Sequence, residues 1–284
     1  MLRIKLAKSL GFCSGVRRAI NIAERVLKKE KRKVYSLGSI IHNHEEINRL
    51  NKIGLISVKS LDDVRNRSCV ILPSHGTPRD IIAAGRKKSL KLIDVTCPYV
   101  SYVHNICRKL YKDKFTVIII GDAHHPEVRA LIDLAPGAAI IESRKDVSAN
   151  QFSFKKVGII SQTTQSKDKF FDLVGLILKN NRNIQEARIF NTICLDTSRR
   201  QEEVKELARA VDRLVVIGSR TSANTKRLLA LGRRVNKKTF LAEEDNAALL
   251  RRLKGSSLVG VISGASAPRW LVDRIVKRIK NKNN

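Results

Sequence analysis

Short runs of β-branched and other apolar residues alternate along the chain with longer stretches whose apolar residues recur every three or four positions. Phe115–Ile120 is one such run and predicts a buried strand, whereas Arg199–Val211 has the 3.6-residue period of an amphipathic helix. Regular alternation of strands and helices is typical of βαβ crossovers, which build parallel sheets. The pattern therefore predicts an α/β fold.

The alternation repeats three times with one order of features. Each repeat has a strand that leads through a cysteine into a helix, in GFCSGVRRAI, DVTCPYVSYV and NTICLDTSRR. A second strand ends in glycine (VYSLGS, VIIIGD and LVVIGS), and a later strand ends in a small polar cluster (VILPSHG, VGIISQTT and VGVISGAS). The cysteine precedes the glycine by 25, 24 and 24 positions, so we interpret the three segments as internal repeats.

We predict three similar parallel-sheet α/β units, at residues 14–96, 97–193 and 194–284. The first two units end in a strand that runs into the next cysteine, but the third ends in a helix and a charged tail. The N-terminal segment 1–13, with a strand at Ile4–Leu10, is expected to supply the missing strand and to arrange the units around a pseudo-threefold axis. Because ligands bind beyond the carboxyl ends of parallel strands, the cysteines and polar clusters are expected to converge in a central cavity.

Cys13, Cys97 and Cys194 are the candidates for metal binding. Three thiolates suit a soft metal or an iron–sulfur cluster, and they leave one coordination position open. Their wide separation in sequence excludes a local zinc knuckle. Cys69 begins a predicted strand and Cys107 lies on an apolar helical face, so both are expected to be core residues.

Histidines that follow strand ends or begin helices are candidates for contacting an anionic substrate. Imidazolium can pair with phosphate, and imidazole can relay protons. The candidates with this placement are His42, His75 and His125, whereas His44, His104 and His124 are expected to be surface or packing residues.

Other polar residues fall at the same predicted edges. Glu127 is in the first turn of a predicted helix, where it is either a catalytic acid or ordinary helix-start chemistry after Pro126. Thr163 and Thr164 end a strand and are placed to pass protons. The third unit is rich in neutral donors that suit a diphosphate or simply cap helices, namely Ser222, Asn224 and Ser266.

The net charge of +30, from 56 Lys and Arg against 26 Asp and Glu, makes a basic nucleic-acid-binding protein with a structural metal site the main alternative. The basic residues are spread along the chain, and no aromatic stacking motif accompanies them. We therefore expect no nucleic-acid partner and interpret the charge either as the mark of a basic proteome or as a field that attracts a phosphorylated ligand. A zinc-dependent hydrolase that uses the same three cysteines is a further alternative.

Neither a membrane partner nor export is indicated by the sequence. No apolar run approaches the about 20 residues that a membrane helix needs, and the N-terminus lacks the apolar region of a signal peptide. We therefore expect a cytoplasmic protein.

The motifs resemble those of the LytB/IspH family, the 4-hydroxy-3-methylbut-2-enyl diphosphate reductases. The resemblance covers essentially the whole chain, in the order GFCSGVRRAI, IIHN, SHG, DVTCP, HPEV, SQTT, NTIC, GSRTSANT and SGASAP. It implies that Cys13, Cys97 and Cys194 bind a 4Fe–4S cluster with an open iron site in a central cavity. It further implies that Glu127 donates a proton together with Thr163 or Thr164.

The resemblance also implies how the substrate is bound and what becomes of it. The three candidate histidines would contact the substrate, and the three polar residues of the third unit would bind its diphosphate. Two electrons from ferredoxin or flavodoxin and two protons would remove the allylic hydroxyl as water, giving isopentenyl and dimethylallyl diphosphates in the last step of the non-mevalonate (methylerythritol phosphate) isoprenoid pathway. The chain departs from the family pattern at Ala223, where a second serine is common, and at His124, where a small residue is common.

Overall fold

The computed structural model describes residues 2–149 and 154–281. The chain divides into two compact bodies. The terminal body consists of Met1–Arg17, Ile41–Ile53 and Leu195–Asn284, and the central body consists of Arg18–Ile40 and Gly54–Cys194. Within the described residues, the strands form three parallel sheets of four strands each.

The terminal body contains one of these sheets. Its strands, in spatial order, are β1 (Arg3–Leu6), β12 (Leu258–Ser263), β10 (Arg213–Ile217) and β11 (Thr239–Ala242). Its helices are α2 (His44–Lys52), α8 (Leu195–Arg209), α9 (Ala223–Val235), α10 (Ala247–Arg252) and α11 (Arg269–Asn281).

The central body contains the other two sheets. The first has the order β3 (Leu55–Val58), β2 (Val34–Leu37), β4 (Cys69–Leu72) and β5 (Lys91–Asp94). The second has the order β7 (Ala139–Ile141), β6 (Thr116–Ile120), β8 (Lys156–Ser161) and β9 (Glu186–Ile189). The helices are α3 (Arg79–Lys87), α4 (Pro98–Lys112), α5 (Pro126–Leu134), α6 (Arg144–Ala149) and α7 (Lys167–Asn180), while α1 (Ser14–Lys29) begins in the terminal body and continues in the central one.

All three sheets share one strand order. In each, the strand that ends in glycine pairs with the strand that ends in the polar cluster, and the latter pairs with the strand that leads to a cysteine. In the terminal body this last strand is β1, which lies parallel to β12 from Arg3 opposite Leu258 to Leu6 opposite Val261. The sequence repeat is therefore also a repeat of sheet topology.

Helices cover both faces of the sheets that contain β10 and β6, which explains the nearly continuous apolar character of these two strands. In β10, Leu214 and Val216 pack in a cluster with residues of α8 and α9, whereas Val215 and Ile217 pack in another with residues of α10 and α11. Strand β6 alternates in the same way between one apolar cluster that contains residues of α4 and α5 and another that contains residues of α7.

The predicted fold class, an α/β protein of three similar parallel-sheet units, is confirmed. The strand expected at Phe115–Ile120 is β6, and the helix expected at Arg199–Val211 begins four residues earlier, at Leu195. The N-terminal strand stops at Leu6. The Ala7 N–H still donates to the Val261 carbonyl of β12 (2.9 Å), but the Ser9 N–H donates to the Glu203 carboxylate (2.9 Å). The boundaries at residues 14–96, 97–193 and 194–284 with segment 1–13, the pseudo-threefold axis and the central cavity stay predictions.

None of the helices in the described ranges is both long enough and apolar enough to span a membrane.

Candidate active site

The three predicted metal ligands occupy one local position in their repeats. Each cysteine is partly exposed and comes directly before the first residue of a helix, α1, α4 or α8. Each also donates its backbone N–H to a carbonyl of a strand-end polar cluster. The acceptors are Ala265 for Cys13 (3.0 Å), Ser74 for Cys97 (2.9 Å) and Thr163 for Cys194 (2.9 Å).

The start of a helix is a position at which a cysteine sulfur can accept backbone N–H groups. The first turn of a helix carries unsatisfied N–H groups and a partial positive charge, which stabilise an anionic sulfur. At Cys13 the backbone N–H of Val16 donates to the sulfur at 3.4 Å. By contrast, Cys69 and Cys107 are buried in the core, where burial raises the pKa of both thiols, that of Cys107 to about 12. The prediction that these two are core residues is confirmed.

The structure does not itself display a metal centre. Across residues 2–149 and 154–281, no group of three or more His, Cys, Asp or Glu side chains has an arrangement that could hold a metal ion. The chemistry of Cys13, Cys97 and Cys194 fits an iron–sulfur cluster, because they are partly exposed thiols at helix starts. Their union around one cluster stays a prediction.

Glu127 is a buried acid whose carboxylate accepts two hydrogen bonds from one residue, Thr163. It is the second residue of α5 and only 2% exposed. Its Oε1 accepts the backbone N–H of Thr163 (2.7 Å), and its Oε2 accepts the Thr163 hydroxyl (2.8 Å). Burial raises the pKa of Glu127 to about 7, although the two bonds from Thr163 oppose the rise. The carboxyl group can therefore hold a proton at neutral pH and release it.

Of the two threonines considered for this role, Thr163 is the one that contacts the acid. The neighbouring Thr164 instead accepts a hydrogen bond from the Gln162 side chain (3.0 Å). The Gln162 carbonyl oxygen accepts the N–H of Asp122 (3.0 Å), so this side chain joins the loop after β6 to the end of β8. Thr164 thus contacts Gln162 and not Glu127, although it is next to Thr163 in the sequence.

His75 and His125 lie together near this acid in the central body. Their ring centroids are 6.4 Å apart in an edge-to-face arrangement. His125 is the N-cap of α5, and its Nδ1 accepts the backbone N–H of Glu127 (3.2 Å). The ring of His125 thus caps the helix that carries the acid. His75 lies in the turn after β4.

The polar residues of the terminal body surround the start of α9. Ser222 is the N-cap and accepts the N–H of Thr225 (3.3 Å), and the Ser266 hydroxyl donates to the His42 carbonyl (3.0 Å). Asn224 is only 4% exposed, and its amide nitrogen and oxygen have no hydrogen-bond partner in the described parts of the chain. Buried amides without partners are rare and costly, so Asn224 is suited to a polar ligand.

The remaining histidines fit their expected roles. His44 and His124 are exposed. His104 is buried on α4, against Gly76, where a Cβ atom added to the glycine would lie 2.7 Å from its ring. Burial lowers the pKa of His104 to about 4, so it packs as a neutral ring. Burial is also the first cause that lowers the pKa of His42, followed by the nearby Lys226 and His44.

Three residues near the cysteines were missed by the sequence reasoning. Arg18, Tyr99 and Arg200 each donate a hydrogen bond to the backbone just before a cysteine. Only Arg200 left a signal in the sequence, because it falls on the buried stripe of α8 together with Val204 and Leu207. A cation at a core-facing helical position is unusual and has a specific partner.

Comparison of the sequence with protein-family models identifies the family of this chain. The family model described as LytB protein matches residues 4–280. The chain belongs to the LytB family. The predicted resemblance is thereby confirmed over almost the full length.

Curated and solved LytB relatives are similar across the whole chain. The 4-hydroxy-3-methylbut-2-enyl diphosphate reductase of Aquifex aeolicus is 37% identical over 284 residues, covering 99% of this chain and 96% of the relative. A solved (E)-4-hydroxy-3-methyl-but-2-enyl diphosphate reductase, described as the terminal enzyme of the non-mevalonate pathway, is 38% identical, with a TM-score of 0.72 and coverage of 99% and 100%. The E-1-hydroxy-2-methyl-but-2-enyl-4-diphosphate reductase of Plasmodium falciparum is 30% identical, with a TM-score of 0.90 and coverage of 97% and 87%.

Proposed function

We propose that this LytB protein is a 4-hydroxy-3-methylbut-2-enyl diphosphate reductase. The allylic alcohol carbon loses its hydroxyl group, which leaves as water after two electrons and two protons are taken up, and isopentenyl and dimethylallyl diphosphates result. The observation that carries the proposal is the full-length similarity to reductases of this name, at 37% identity with nearly complete coverage of both chains. The relatives give no support to the nucleic-acid-binding alternative.

Cys13, Cys97 and Cys194 are proposed to hold a 4Fe–4S cluster. When bound, such a cluster supplies electrons one at a time and offers an open iron as a Lewis acid. The support from this chain is that three thiols at equivalent helix starts are partly exposed, whereas the two other cysteines are buried with raised pKa values. Helix starts also stabilise the thiolate form that metal binding requires.

Glu127 is proposed to deliver a proton to the reacting end of the substrate. A general acid works best when its pKa lies near the working pH, and burial raises the pKa of Glu127 to about 7. Thr163 fixes both carboxyl oxygens through its N–H and its hydroxyl group, so the acid is oriented before the substrate arrives. The hydroxyl of Thr163 can carry a proton to or from Glu127 Oε2, which lies 2.8 Å away.

The start of α9 is proposed to bind the diphosphate. The N-terminal turn of a helix presents N–H groups and a partial positive charge to anions. Asn224 adds a buried amide that has no partner in the described structure, and Ser222 and Ser266 add hydroxyl groups. At Ala223, the first residue of the helix, only a backbone N–H is available in place of a serine hydroxyl.

The imidazoles of His42, His75 and His125 are proposed to contact the substrate. Burial and the nearby Lys226 lower the pKa of His42, which favours its neutral form, and His125 accepts a backbone N–H at Nδ1. The net charge of +30 is proposed to add long-range attraction for a diphosphate. His75, whose ring lies against that of His125, is proposed to share this role.

The electrons are proposed to come from a separate one-electron carrier, a ferredoxin or a flavodoxin, in the cytoplasm. The sequence has no Rossmann fingerprint, which gives no reason to expect a nicotinamide or flavin site in the chain itself.

Anaerobic reconstitution with iron and sulfide, followed by an assay with a reduced viologen dye as electron source, tests the proposed function. We expect a brown protein with iron and sulfide near equal amounts and substrate-dependent oxidation of the dye, yielding the two five-carbon diphosphates. Cys97→Ser is expected to lose the colour and the activity, whereas Cys69→Ser is expected to keep both. A wild-type protein that stays colourless, or that binds zinc instead of iron, would overturn the proposal.

A further inference from the structure

A side chain on each helix that follows a cysteine reaches the backbone just before another cysteine. Arg18 on α1, five residues after Cys13, donates to the carbonyl of Thr96, the residue before Cys97 (3.1 Å). Tyr99 on α4, two residues after Cys97, donates to the carbonyl of Ile193, the residue before Cys194 (3.1 Å). Arg200 on α8, six residues after Cys194, donates to the carbonyl of Gly11, two residues before Cys13 (3.0 Å).

The three contacts follow one cyclic order along the chain. The helix after Cys13 contacts the segment before Cys97, and the helix after Cys97 contacts the segment before Cys194. The helix after Cys194 contacts the segment before Cys13. Each contact lies inside one compact body, the first two in the central body and the last in the terminal body. Three contacts of independent origin have no reason to share this order. We call Arg18, Tyr99 and Arg200 the loop braces.

Arg200 is the strongest brace because it is fully buried and uses its whole guanidinium group. It is 2% exposed and forms an ion pair with Asp196 (2.7 Å) one turn earlier on α8. Its nitrogens also donate to the carbonyls of Ser9 (2.9 Å), Gly11 (3.0 Å) and Ser263 (2.9 Å). It therefore fastens the loop before Cys13 to the last residue of β12.

Two further hydrogen bonds hold the segment before Cys13 against the end of β12 and the residues after it. The Gly11 N–H donates to the Ser263 hydroxyl (2.9 Å), and the Cys13 N–H donates to the Ala265 carbonyl (3.0 Å). Burying a guanidinium group is costly unless its hydrogen bonds are satisfied. Replacing a buried ion pair with apolar residues of similar size often leaves the stability of a protein unchanged or raises it. A buried arginine that binds two carbonyls in the approach to Cys13 and one at the end of β12 thus points to a positioning role.

Tyr99 is the most specific brace because only its hydroxyl group makes the contact. The Ile193 carbonyl that it reaches belongs to a buried residue. The Tyr99 ring lies 5.8 Å from the ring of Tyr102, which is more than half exposed. The two tyrosines differ in the hydrogen bond to the Ile193 carbonyl, which Tyr99 makes. Arg18 is exposed, so its single contact is the weakest of the three.

We infer that the loop braces are positioning residues that hold the three cysteine loops in the geometry needed to keep the metal cluster. The inference rests on the proposed role of the cysteines. Each brace ends on a main-chain carbonyl and fixes the backbone from which a thiolate projects, without touching the sulfur. Loss of a brace widens the range of positions that the loop visits, and a thiolate that leaves its iron more often exposes the cluster to chelators.

Tyr99→Phe, compared with Tyr102→Phe, gives the sharpest test, since each change removes one oxygen atom. Both holoproteins are reconstituted anaerobically, and iron release to a chelator is followed together with the electron paramagnetic resonance spectrum of the reduced cluster. We expect Tyr99→Phe to release iron about fivefold faster than wild type, as one neutral hydrogen bond contributes about that factor, and to broaden the spectrum. Tyr102→Phe is expected to match wild type in both measurements.

Arg200→Lys and Arg199→Met extend the test to the terminal body. Lysine keeps the charge beside Asp196 but cannot bind three carbonyls at once, so we expect iron release at least tenfold faster, while the exposed Arg199 serves as the control. If Tyr99→Phe and Arg200→Lys keep wild-type release rates and spectra, the inference is overturned. Viologen-driven turnover by the wild-type protein is measured alongside, so a failure of the proposed function is recognised separately.

Discussion

Replacement of Glu127 by glutamine tests whether this residue donates a proton in the proposed reaction. Glutamine has the same shape, and its carbonyl oxygen can still accept the Thr163 N–H that now lies 2.7 Å from Oε1. Its amide nitrogen can donate to the Thr163 hydroxyl oxygen, which in the parent protein donates to Oε2. The change therefore removes the ability to ionise and to give up a proton while it preserves the packing.

The magnitude follows from the raised pKa. A shift from 4.5 to about 7 means that the ionised carboxylate is disfavoured by about 3 kcal/mol in the folded protein. About half of the Glu127 carboxyl groups are protonated at pH 7, against less than about 1% for a carboxyl group with the ordinary value. Loss of the proton source is expected to slow turnover by about 100-fold or more.

The raised pKa also makes folding stability depend on pH in a direction that can be checked. Below pH 4.5 the carboxyl group is protonated in both states and costs nothing. Between pH 4.5 and about 7 only the unfolded state ionises freely, so the free energy of unfolding falls as the pH rises, by about 3 kcal/mol in total. Glu127→Gln removes this loss and is expected to exceed the parent in stability only at the higher pH.

Urea unfolding of the cluster-free proteins at about pH 5 and about pH 9 measures the difference, with the exposed Glu206→Gln as a control. Turnover with a reduced viologen dye is measured on the reconstituted enzymes. A stability difference between Glu127→Gln and its parent that is equal at both pH values would refute the burial argument. Turnover within a few-fold of wild type would refute the assignment as proton donor.

Three further outcomes are expected. Asn224→Ala removes a buried amide at the start of α9, so it should raise the KM for the diphosphate about tenfold with a smaller change in kcat, as steady-state kinetics would show. Gly264→Ala places a Cβ atom 2.2 Å from the Thr225 hydroxyl oxygen, so urea unfolding should show a loss of about 1–3 kcal/mol. Cys107→Ser puts a hydroxyl group into an apolar cluster, so it should lower stability in the same assay yet leave the iron content unchanged.

Much of the fold could be predicted from the sequence because the repeat makes each segment a check on the others. The strand β6 and the helix starts at Pro98 and Pro126 follow from local patterns that need no knowledge of distant contacts. The end of β1 could not be predicted, because it depends on Glu203, which is far away in sequence and captures the N–H of Ser9. Extended apolar residues continue as a strand only while their backbone groups find a partner strand.

In the candidate site too, the sequence indicated the candidate residues, whereas their contacts with distant residues required the structure. Glu127 was suggested by its place after Pro126, but only the structure shows that both of its oxygens are bound by Thr163 and not by Thr164. The loop braces were not predictable from motifs because their acceptors are main-chain carbonyls. Every residue has such a carbonyl, so nothing in the side chains at Thr96 or Ile193 marks the receiving end of the contact.

The charge of the candidate histidines is not fixed by their place in the sequence. Their placement at strand ends allows imidazolium groups that pair with phosphate as well as imidazoles that relay protons, and in the structure burial lowers the pKa of His42, which favours its neutral form. A neutral His42 contributes a hydrogen-bond donor or acceptor instead of a charge. Where His42 is neutral, the positive potential that we propose for the diphosphate comes from the start of α9 and from cationic side chains near His42 such as Lys226. A site built in this way keeps its attraction for the diphosphate at a pH where Glu127 is half ionised, which separates binding of the substrate from delivery of the proton.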